Sequence, residues 1–176
     1  MNIVDFFRAE QKRLHHELRS AVQNLTLDEW HYALPGTTNH IAFMFMHCVR
    51  TEDNILRYVL QGRNPIWNEE NWHERLNLPP RFQGTGMATE QAQAMRLNDP
   101  ALFLQYTDQV WQEFEQYLAA IQDGGAALSE RIVKVQPLGE MPAIRVIGQV
   151  CLSHLFMHLG EIALVVGAQG KKGWSF

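Results

Sequence analysis

The sequence contains little cysteine. Only Cys48 and Cys151 occur among its 176 residues, too few for the disulfide framework of a small secreted protein. They lie far apart and form no CxxC motif, so neither a redox motif nor a cysteine-rich zinc site is indicated. We therefore expect both thiols to be reduced.

An excess of positive charge is also missing. Lysine and arginine together number 15 against 19 aspartates and glutamates, which gives a formal net charge of −4. Binding to a nucleic-acid backbone or to an anionic membrane requires a basic surface, so we expect neither partner. Small molecules and other proteins remain as candidate partners.

The first 20 residues contain no long apolar run. Because charge begins at Asp5, we expect neither a signal peptide nor a membrane span, and hence a cytoplasmic protein. The 46% hydrophobic and 19% charged residues are typical of a soluble globular chain. The length suits a single domain spanning residues 1–176.

Two segments in the first half of the chain repeat apolar residues at steps of three or four, which predicts amphipathic helices. The first covers residues 2–24. The second is capped by Thr37 or Thr38 and runs to about Gln61, where Gly62 stops it.

Two further helices are predicted in the second half. Asp99 followed by Pro100 combines a capping side chain with proline at the first helical position, and we expect this helix to end at Gly124. The last helix opens at Pro142 and continues to Gly167. Because each apolar stripe must be covered by another helix, the four segments predict an all-α four-helix bundle.

Shorter features lie between these helices. Residues 26–29 form a capping-box pattern that predicts one short turn of helix. The connection 62–98 is rich in proline and glycine yet contains Trp67 and Trp72, which favours an ordered crossover rather than a disordered linker. Residues 131–137 alternate like a short strand, and either a strand or an extended loop fits them.

Polar side chains interrupt the core stripe of the last helix. At about 100° per residue, Cys151, His154, His158 and Glu161 fall within a sector of about 80° that also holds Ile147. Inside a bundle each polar group needs a partner. Histidines four residues apart project side by side, which allows both imidazoles to reach one metal ion.

His47 occupies the same kind of position in the middle of the second helix. If the second and last helices face each other, His47 supplies a third nitrogen, and three neutral imidazoles leave room for water or substrate on an ion. The plain alternative is a set of hydrogen-bonded core histidines, because an HxxxH pair without the glutamate of HExxH is a common chance pattern.

Two residues near the pair have open roles. Glu161 fits a fourth ligand, a hydrogen-bond partner of a ligand, a base, or a buried carboxylate paired with arginine. Cys151 fits a ligand or a small buried hydrophobe, and Cys48 fits packing.

Solvent exposure explains the remaining histidines, and His40 fits either the mouth of a pocket or exposure near a helix start. Arg50 is a possible contact for an anion. The tryptophans favour packing over the lining of an apolar pocket. The exposed histidines are His15, His16, His31 and His73, and the tryptophans are Trp67, Trp72 and Trp111.

Five short pieces occur in a specific order along nearly the whole chain. They are Asn39-His40-Ile41 leading to His47, Arg50-Thr51-Glu52-Asp53, Gly84-Thr85-Gly86-Met87, His158-Leu159-Gly160-Glu161-Ile162, and Gly170 to Gly173. On these pieces the chain resembles the DinB family of metal-dependent proteins, which includes YfiT-like members and thiol-dependent transferases.

The resemblance implies an up-down-down-up bundle with a long crossover between its second and third helices. It further implies a divalent metal on His47, His154 and His158, and a homodimer. Zinc suits three imidazoles best, and nickel or iron fits the same donors. His40 departs from the family pattern, in which a small polar residue is more usual.

Three functions follow as hypotheses. The first is a metal-dependent enzyme that transfers a low-molecular-weight thiol to a small organic molecule, or hydrolyses or isomerises such a molecule. The second is a non-catalytic metal or small-ligand binding protein of stress response. The third treats the histidines as structural and assigns function to a dimer surface. No catalytic acid or base is assigned at this stage.

Overall fold

A computed structural model describes residues 1–36 and 39–173. The protein is mostly helical. In chain order its elements are α1 (Ile3–Val22), α2 (Leu27–Trp30), α3 (Ile41–Asp53), the π-helical segment π1 (Asn54–Leu60), α4 (Ile66–Glu69), α5 (Trp72–Arg75), α6 (Thr89–Ala94), α7 (Pro100–Ala119), α8 (Ala126–Glu130), β1 (Ile132–Val135), β2 (Gly139–Pro142), α9 (Ala143–Val146), the π-helical segment π2 (Ile147–Ser153) and α10 (His154–Ala168).

Two of the four long helices in the described part of the chain are composite. We call α3 with π1 the second long helix, and α9, π2 and α10 together the last long helix, Ala143–Ala168. Helix α1 packs against α7 and the last long helix, and the second long helix packs against the same two. The four therefore surround a common core whose largest fully buried side chains include Trp30, Phe45, Phe103, Phe114 and Leu14.

The helix starts follow from local capping. The predicted capping box is present at α2, where the Thr26 hydroxyl accepts from the Glu29 amide and the Glu29 carboxylate accepts from the Thr26 amide. The Asp99 carboxylate likewise accepts from the Leu102 amide at the start of α7. These starts are confirmed because a cap is specified by residues within one turn.

Other boundaries differ from prediction. Thr37 and Thr38 lie outside the described residues, and the cap of α3 is His40, whose Nδ1 accepts from the Phe43 amide at 3.0 Å. Helix α7 ends at Ala119 instead of Gly124. Gly125 serves close packing, since a Cβ there would lie 3.1 Å from the side chains of Ile3 and Val4.

A small antiparallel hairpin adds to the helical fold. Strands β1 and β2 pair with Val133 opposite Met141 and Lys134 opposite Glu140. The strand alternative for residues 131–137 is thus correct. Its partner strand carries no alternating pattern and was not predicted, because pairing rather than propensity stabilises it.

The crossover is ordered, as predicted. The buried Asp53 carboxylate accepts from the Ile66 and Trp67 amides at 2.8 and 3.0 Å and from the Tyr106 hydroxyl at 2.7 Å. Arg50 donates to the same carboxylate at 3.0 Å. The anion-contact interpretation of Arg50 is wrong, because its guanidinium is buried and bonded within the fold.

The packing interpretation of the tryptophans is correct. Trp67 and Trp72 are buried against the Tyr106 ring, with ring centroids 5.3 and 5.6 Å apart. Trp111 is half-buried on α7 and stacks on His15 at 4.3 Å. Aromatic burial of this kind attaches the crossover to the helices.

The last long helix is long and apolar enough, by length and composition, to cross a membrane. Half of its apolar window is buried inside the protein. It packs against α1 and the second long helix, so we interpret it as a core helix of the kind that passes the same test in soluble proteins.

Candidate metal centre

The structure brings His47, His154 and His158 together. Their potential ligand atoms all lie within 4.8 Å of one another. The His154 Nε2 atom is 3.4 Å from His47 Nε2 and 2.9 Å from His158 Nε2. Three ring nitrogens from two long helices thus converge on one small space.

The opposite nitrogen of each ring has an acceptor. His47 Nδ1 lies 2.7 Å from the Gln83 carbonyl, His154 Nδ1 lies 3.3 Å from the Val150 carbonyl, and His158 Nδ1 lies 2.7 Å from the Glu161 carboxylate. Because these oxygens only accept, each Nδ1 carries the hydrogen, and in the neutral ring Nε2 then presents a lone pair.

Converging lone pairs repel one another unless a cation or a proton lies between them. With Zn–N bonds of about 2.0–2.1 Å at tetrahedral angles, ligand nitrogens are roughly 3.3 Å apart. The observed 3.4 and 2.9 Å are close to that separation. The three side chains therefore fit a divalent metal ion.

Burial keeps two of the imidazoles in the ligand form. Desolvation lowers the pKa of His47 to about 4, although its bond to the Gln83 carbonyl acts in the opposite direction. Desolvation also lowers the pKa of His154, and the nearby His158 adds to this effect. Both rings are accordingly neutral at pH 7, so no proton has to leave before a metal binds.

Local backbone irregularity sets the orientation of the pair on the last long helix. Segment π2 directly precedes His154, and a π turn holds more residues than an α turn. The uniform 100° spacing therefore fails here: Ile147 and Cys151 face the core, whereas His154 and His158 are half-buried at its edge. The i,i+4 spacing within α10 still places the two imidazoles side by side.

Glu161 has one of its predicted roles. Its side chain is 54% exposed and accepts from His158. The buried arginine-paired carboxylate is wrong, and the hydrogen-bond partner of a candidate ligand is the role that this geometry supports.

The cysteines lie outside the cluster. Cys48 and Cys151 are free and buried, and burial raises the pKa of both thiols well above the ordinary value. Within the described chain the three-histidine cluster contains no cysteine. Both therefore behave as small packing residues.

A loop of the crossover supports His47, and the sequence patterns did not indicate this role. Gln83 supplies the carbonyl, and Gly84 follows it with a φ of +94°. A Cβ at Gly84 would lie 3.1 Å from His47 Nδ1 and 2.9 Å from the Phe43 ring. Only the Gly-Thr-Gly sequence itself pointed to a backbone with special requirements.

Exposure is correct for His16 and wrong for His15 and His73. His15 is half-buried, its Nε2 lies 2.8 Å from the buried Glu52 carboxylate, and it stacks on Trp111. His73 is also half-buried and lies 3.2 Å from a backbone carbonyl. The partner of His15 lies 37 residues away in sequence, whereas that of His73 lies six residues away.

His40 and His31 form a separate pair that holds the end of the crossover. His40 is buried, and its Nε2 donates to the Met95 carbonyl at 3.0 Å. Half-buried His31 accepts from the Leu97 amide at 3.0 Å, and the two rings are 5.1 Å apart. Exposure was the wrong interpretation for both histidines, since each satisfies backbone groups.

A cleft of about 1020 Å³ opens beside the clustered histidines. Residues from π1, π2, the loop 83–86 and the hairpin turn line it together with His47, His154 and His158. Among the described residues that line this cleft none is a tryptophan, so the pocket-lining alternative does not apply here. Trp111 instead lines a separate, smaller cavity of about 290 Å³. Segments π1 and π2 both face this cleft, and π turns are frequent at functional sites.

Comparisons with known proteins identify a family and a solved structure with a similar fold. The family model described as DinB superfamily matches residues 10–162. A crystal structure of a conserved protein from Enterococcus faecalis superposes with a TM-score of 0.77, at 18% sequence identity, covering 94% of this chain and 96% of that chain. At this identity the likeness concerns the fold alone. A comparison with curated proteins found no match.

Proposed function

Because the chain belongs to the DinB superfamily, we propose that it is a metal-dependent enzyme whose divalent transition metal binds His47, His154 and His158. The main support is that the three Nε2 atoms converge while the Nδ1 atom of each ring lies beside a hydrogen-bond acceptor. When bound, such an ion lowers the pKa of a coordinated water or thiol and polarises a carbonyl group.

The donor set favours borderline metals. Three neutral imidazoles suit zinc, and nickel or iron accept the same nitrogens, so we propose zinc first. Gln83 and Glu161 orient two of the rings through their Nδ1 atoms. Such hydrogen-bond partners fix the tautomer and raise the basicity of the nitrogen that faces the metal.

The cleft supports turnover rather than storage. Its volume of about 1020 Å³ admits a small organic molecule beside the histidines, whereas a closed binding site needs no such space. We propose transfer of a low-molecular-weight thiol to this molecule, or its hydrolysis or isomerisation. The chain contributes the neutral ligands, their orientation and a partly apolar wall.

We propose an up-down-down-up four-helix bundle as the scaffold, within one domain of a cytoplasmic homodimer. Contacts between the helices support these directions. They show that α1 is antiparallel to α7 and parallel to the last long helix, and that the second long helix is parallel to α7. The contacts are Arg8–Glu115 and Arg19–Asp108, Phe7–Gly148 and Arg13–Phe156, and Phe45–Phe103 and Arg57–Glu113.

Elemental analysis of protein purified without a histidine tag tests the metal. We expect about one zinc, nickel or iron ion per chain in the wild type, and loss of stoichiometric metal in His47→Ala and His154→Ala, because two imidazoles remain. His16→Ala is the matched control, since His16 is exposed and lies outside the cluster.

Circular dichroism of each variant verifies that the helices are retained. A wild type that takes up no stoichiometric ion after incubation with all three metals contradicts the proposal. A loaded protein with no activity in a screen of thiols with electrophiles, esters and isomerisable acids contradicts the enzymatic part and leaves a metal-binding protein.

A further inference from the structure

The charges around the cleft differ from those of the whole molecule. The chain carries 19 acidic residues and a net charge of −4. Yet among the described residues that line the cleft none is aspartate or glutamate. The lysine and arginine residues contribute one member to the described lining, Lys134. The cleft therefore lacks the negative charge that dominates the rest of the protein.

Lys134 lies beside one carboxylate but, among the described residues, is not engaged in an ion pair. It lies on the exposed face of β1, opposite Glu140 in the hairpin register. Across residues 1–36 and 39–173 it makes no ion pair. Because Lys134 and Glu140 do not form an ion pair, the ammonium group is available to an external anion at the rim of the cleft.

The hairpin that carries Lys134 is anchored firmly. Val133 and Val135, its neighbours in β1, are buried. Arg131 donates to the Leu60 carbonyl at 2.6 Å, at the end of the second long helix. These contacts fix the backbone of Lys134 beside the cleft, from which its flexible side chain carries the charge to the rim.

Exposed hydrophobic side chains form a second, apolar part of the cleft surface. Tyr58, Leu138 and Met157 line the cleft and are 65%, 47% and 63% exposed. Their solvent-facing surface gains free energy when an apolar ligand covers it.

We propose that the cleft binds an organic anion whose charged group pairs with Lys134 and whose apolar body covers Tyr58, Leu138 and Met157. The inference rests on the proposed function in that the substrate enters this cleft. It names the substrate class as small organic acids and makes Lys134 the residue that selects for charge. The uncharged end of such a molecule then faces the clustered histidines.

A matched pair of fluorescent probes tests this selection. 8-Anilinonaphthalene-1-sulfonate carries a sulfonate, and N-phenyl-1-naphthylamine has the same rings without it. We titrate both into chelator-treated and zinc-treated protein. We expect Lys134→Gln to weaken sulfonate binding about fivefold, the effect of one solvent-accessible charge pair, and to leave the neutral probe unchanged.

Three further variants make the result specific. Lys134→Arg keeps the charge and should bind both probes like the wild type. Leu138→Asn should weaken both probes, because it removes apolar wall. Lys12→Gln makes the same change in net charge at an exposed lysine of α1 that lines the smaller cavity beside Trp111. It should have no effect, because we expect both probes to bind in the larger cleft.

Each contrary result has a distinct meaning. Equal sulfonate affinity in wild type and Lys134→Gln overturns the inference, as does a loss caused by Lys12→Gln. If either result occurs while zinc still binds stoichiometrically, the proposed metal site stands without the anion site. If zinc does not bind while the Lys134 effect persists, the proposed function fails and the anion site stands.

Discussion

The Nδ1 hydrogen bonds of the clustered histidines decide what the site can do. A histidine on a helix can present either nitrogen, and without a partner its ring rotates between orientations. Here the Gln83 and Val150 carbonyls and the Glu161 carboxylate hold the rings by Nδ1. The metal-binding capacity of the cluster therefore depends on residues that would not themselves touch a metal.

Removal of the Glu161 carboxylate tests this dependence at the residue scale. We expect Glu161→Ala to weaken zinc binding about tenfold, because His158 loses its orienting acceptor. Glu161→Gln keeps an acceptor oxygen and should lie between Glu161→Ala and the wild type. A competition titration against a chromogenic zinc chelator measures all three.

Because Glu161 is largely exposed, the metal-free variants should unfold at the wild-type temperature. Wild-type zinc affinity in Glu161→Ala would show that Glu161 does not support metal binding by His158.

At the scale of elements, an irregular loop completes what two helices begin. The second long helix carries His47, and the loop 83–86 orients it. Gly84 and Gly86 both have positive φ angles, +94° and +71°, which any other residue adopts with strain. They differ in space: a Cβ at Gly84 meets Phe43 and His47, whereas a Cβ at Gly86 meets nothing within 4 Å.

This difference gives a matched pair of variants. Gly84→Ala and Gly86→Ala should each destabilise the protein by about 1 kcal/mol through backbone strain, and Gly84→Ala by more, because its Cβ would lie 2.9 Å from the Phe43 ring. Only Gly84→Ala should also weaken zinc binding, by about tenfold, because the new methyl group displaces the loop from His47. Thermal unfolding measures the first effect and isothermal titration with zinc the second. Equal zinc affinities in the two variants would exclude the loop as a support for the site.

At the scale of the whole molecule, buried histidines make folding depend on pH. Burial lowers the pKa of His40 to about 4, the nearby His31 and Arg96 act in the same direction, and the bond to the Met95 carbonyl acts against it. The unfolded chain binds this proton near pH 6.5. The stabilisation is therefore complete above pH 6.5 and is lost as the pH falls towards 4.

Between pH 7 and pH 5, His40 should account for about 2 kcal/mol of lost stability, at 1.36 kcal/mol per pH unit below 6.5. His40→Asn retains a good helix cap but cannot titrate. Between pH 7 and pH 5 its free energy of unfolding should therefore fall by about 2 kcal/mol less than that of the wild type. Urea unfolding with a chelator present measures both proteins at both pH values. His16→Asn, an exposed control, should follow the wild type. The same pH dependence in His40→Asn and wild type would rule out His40 as the titrating group.

Local signals determined much of the outcome. Helix starts at Thr26 and Asp99 and the side-by-side placement of His154 and His158 were predictable, because each depends on residues within one or two turns. Helix position suggested His47 as a third member, the family resemblance strengthened that choice, and the structure brings the three together.

Tertiary structure alone decided the rest. Gln83 lies 36 residues from His47, and Lys134 reaches the cleft through a hairpin whose second strand has no pattern of its own. Segment π2 interrupts the regular turn that a helical projection assumes. Hydrogen-bond partners, burial and cleft walls arise where distant segments pack, and periodicity records only which face of a segment is apolar.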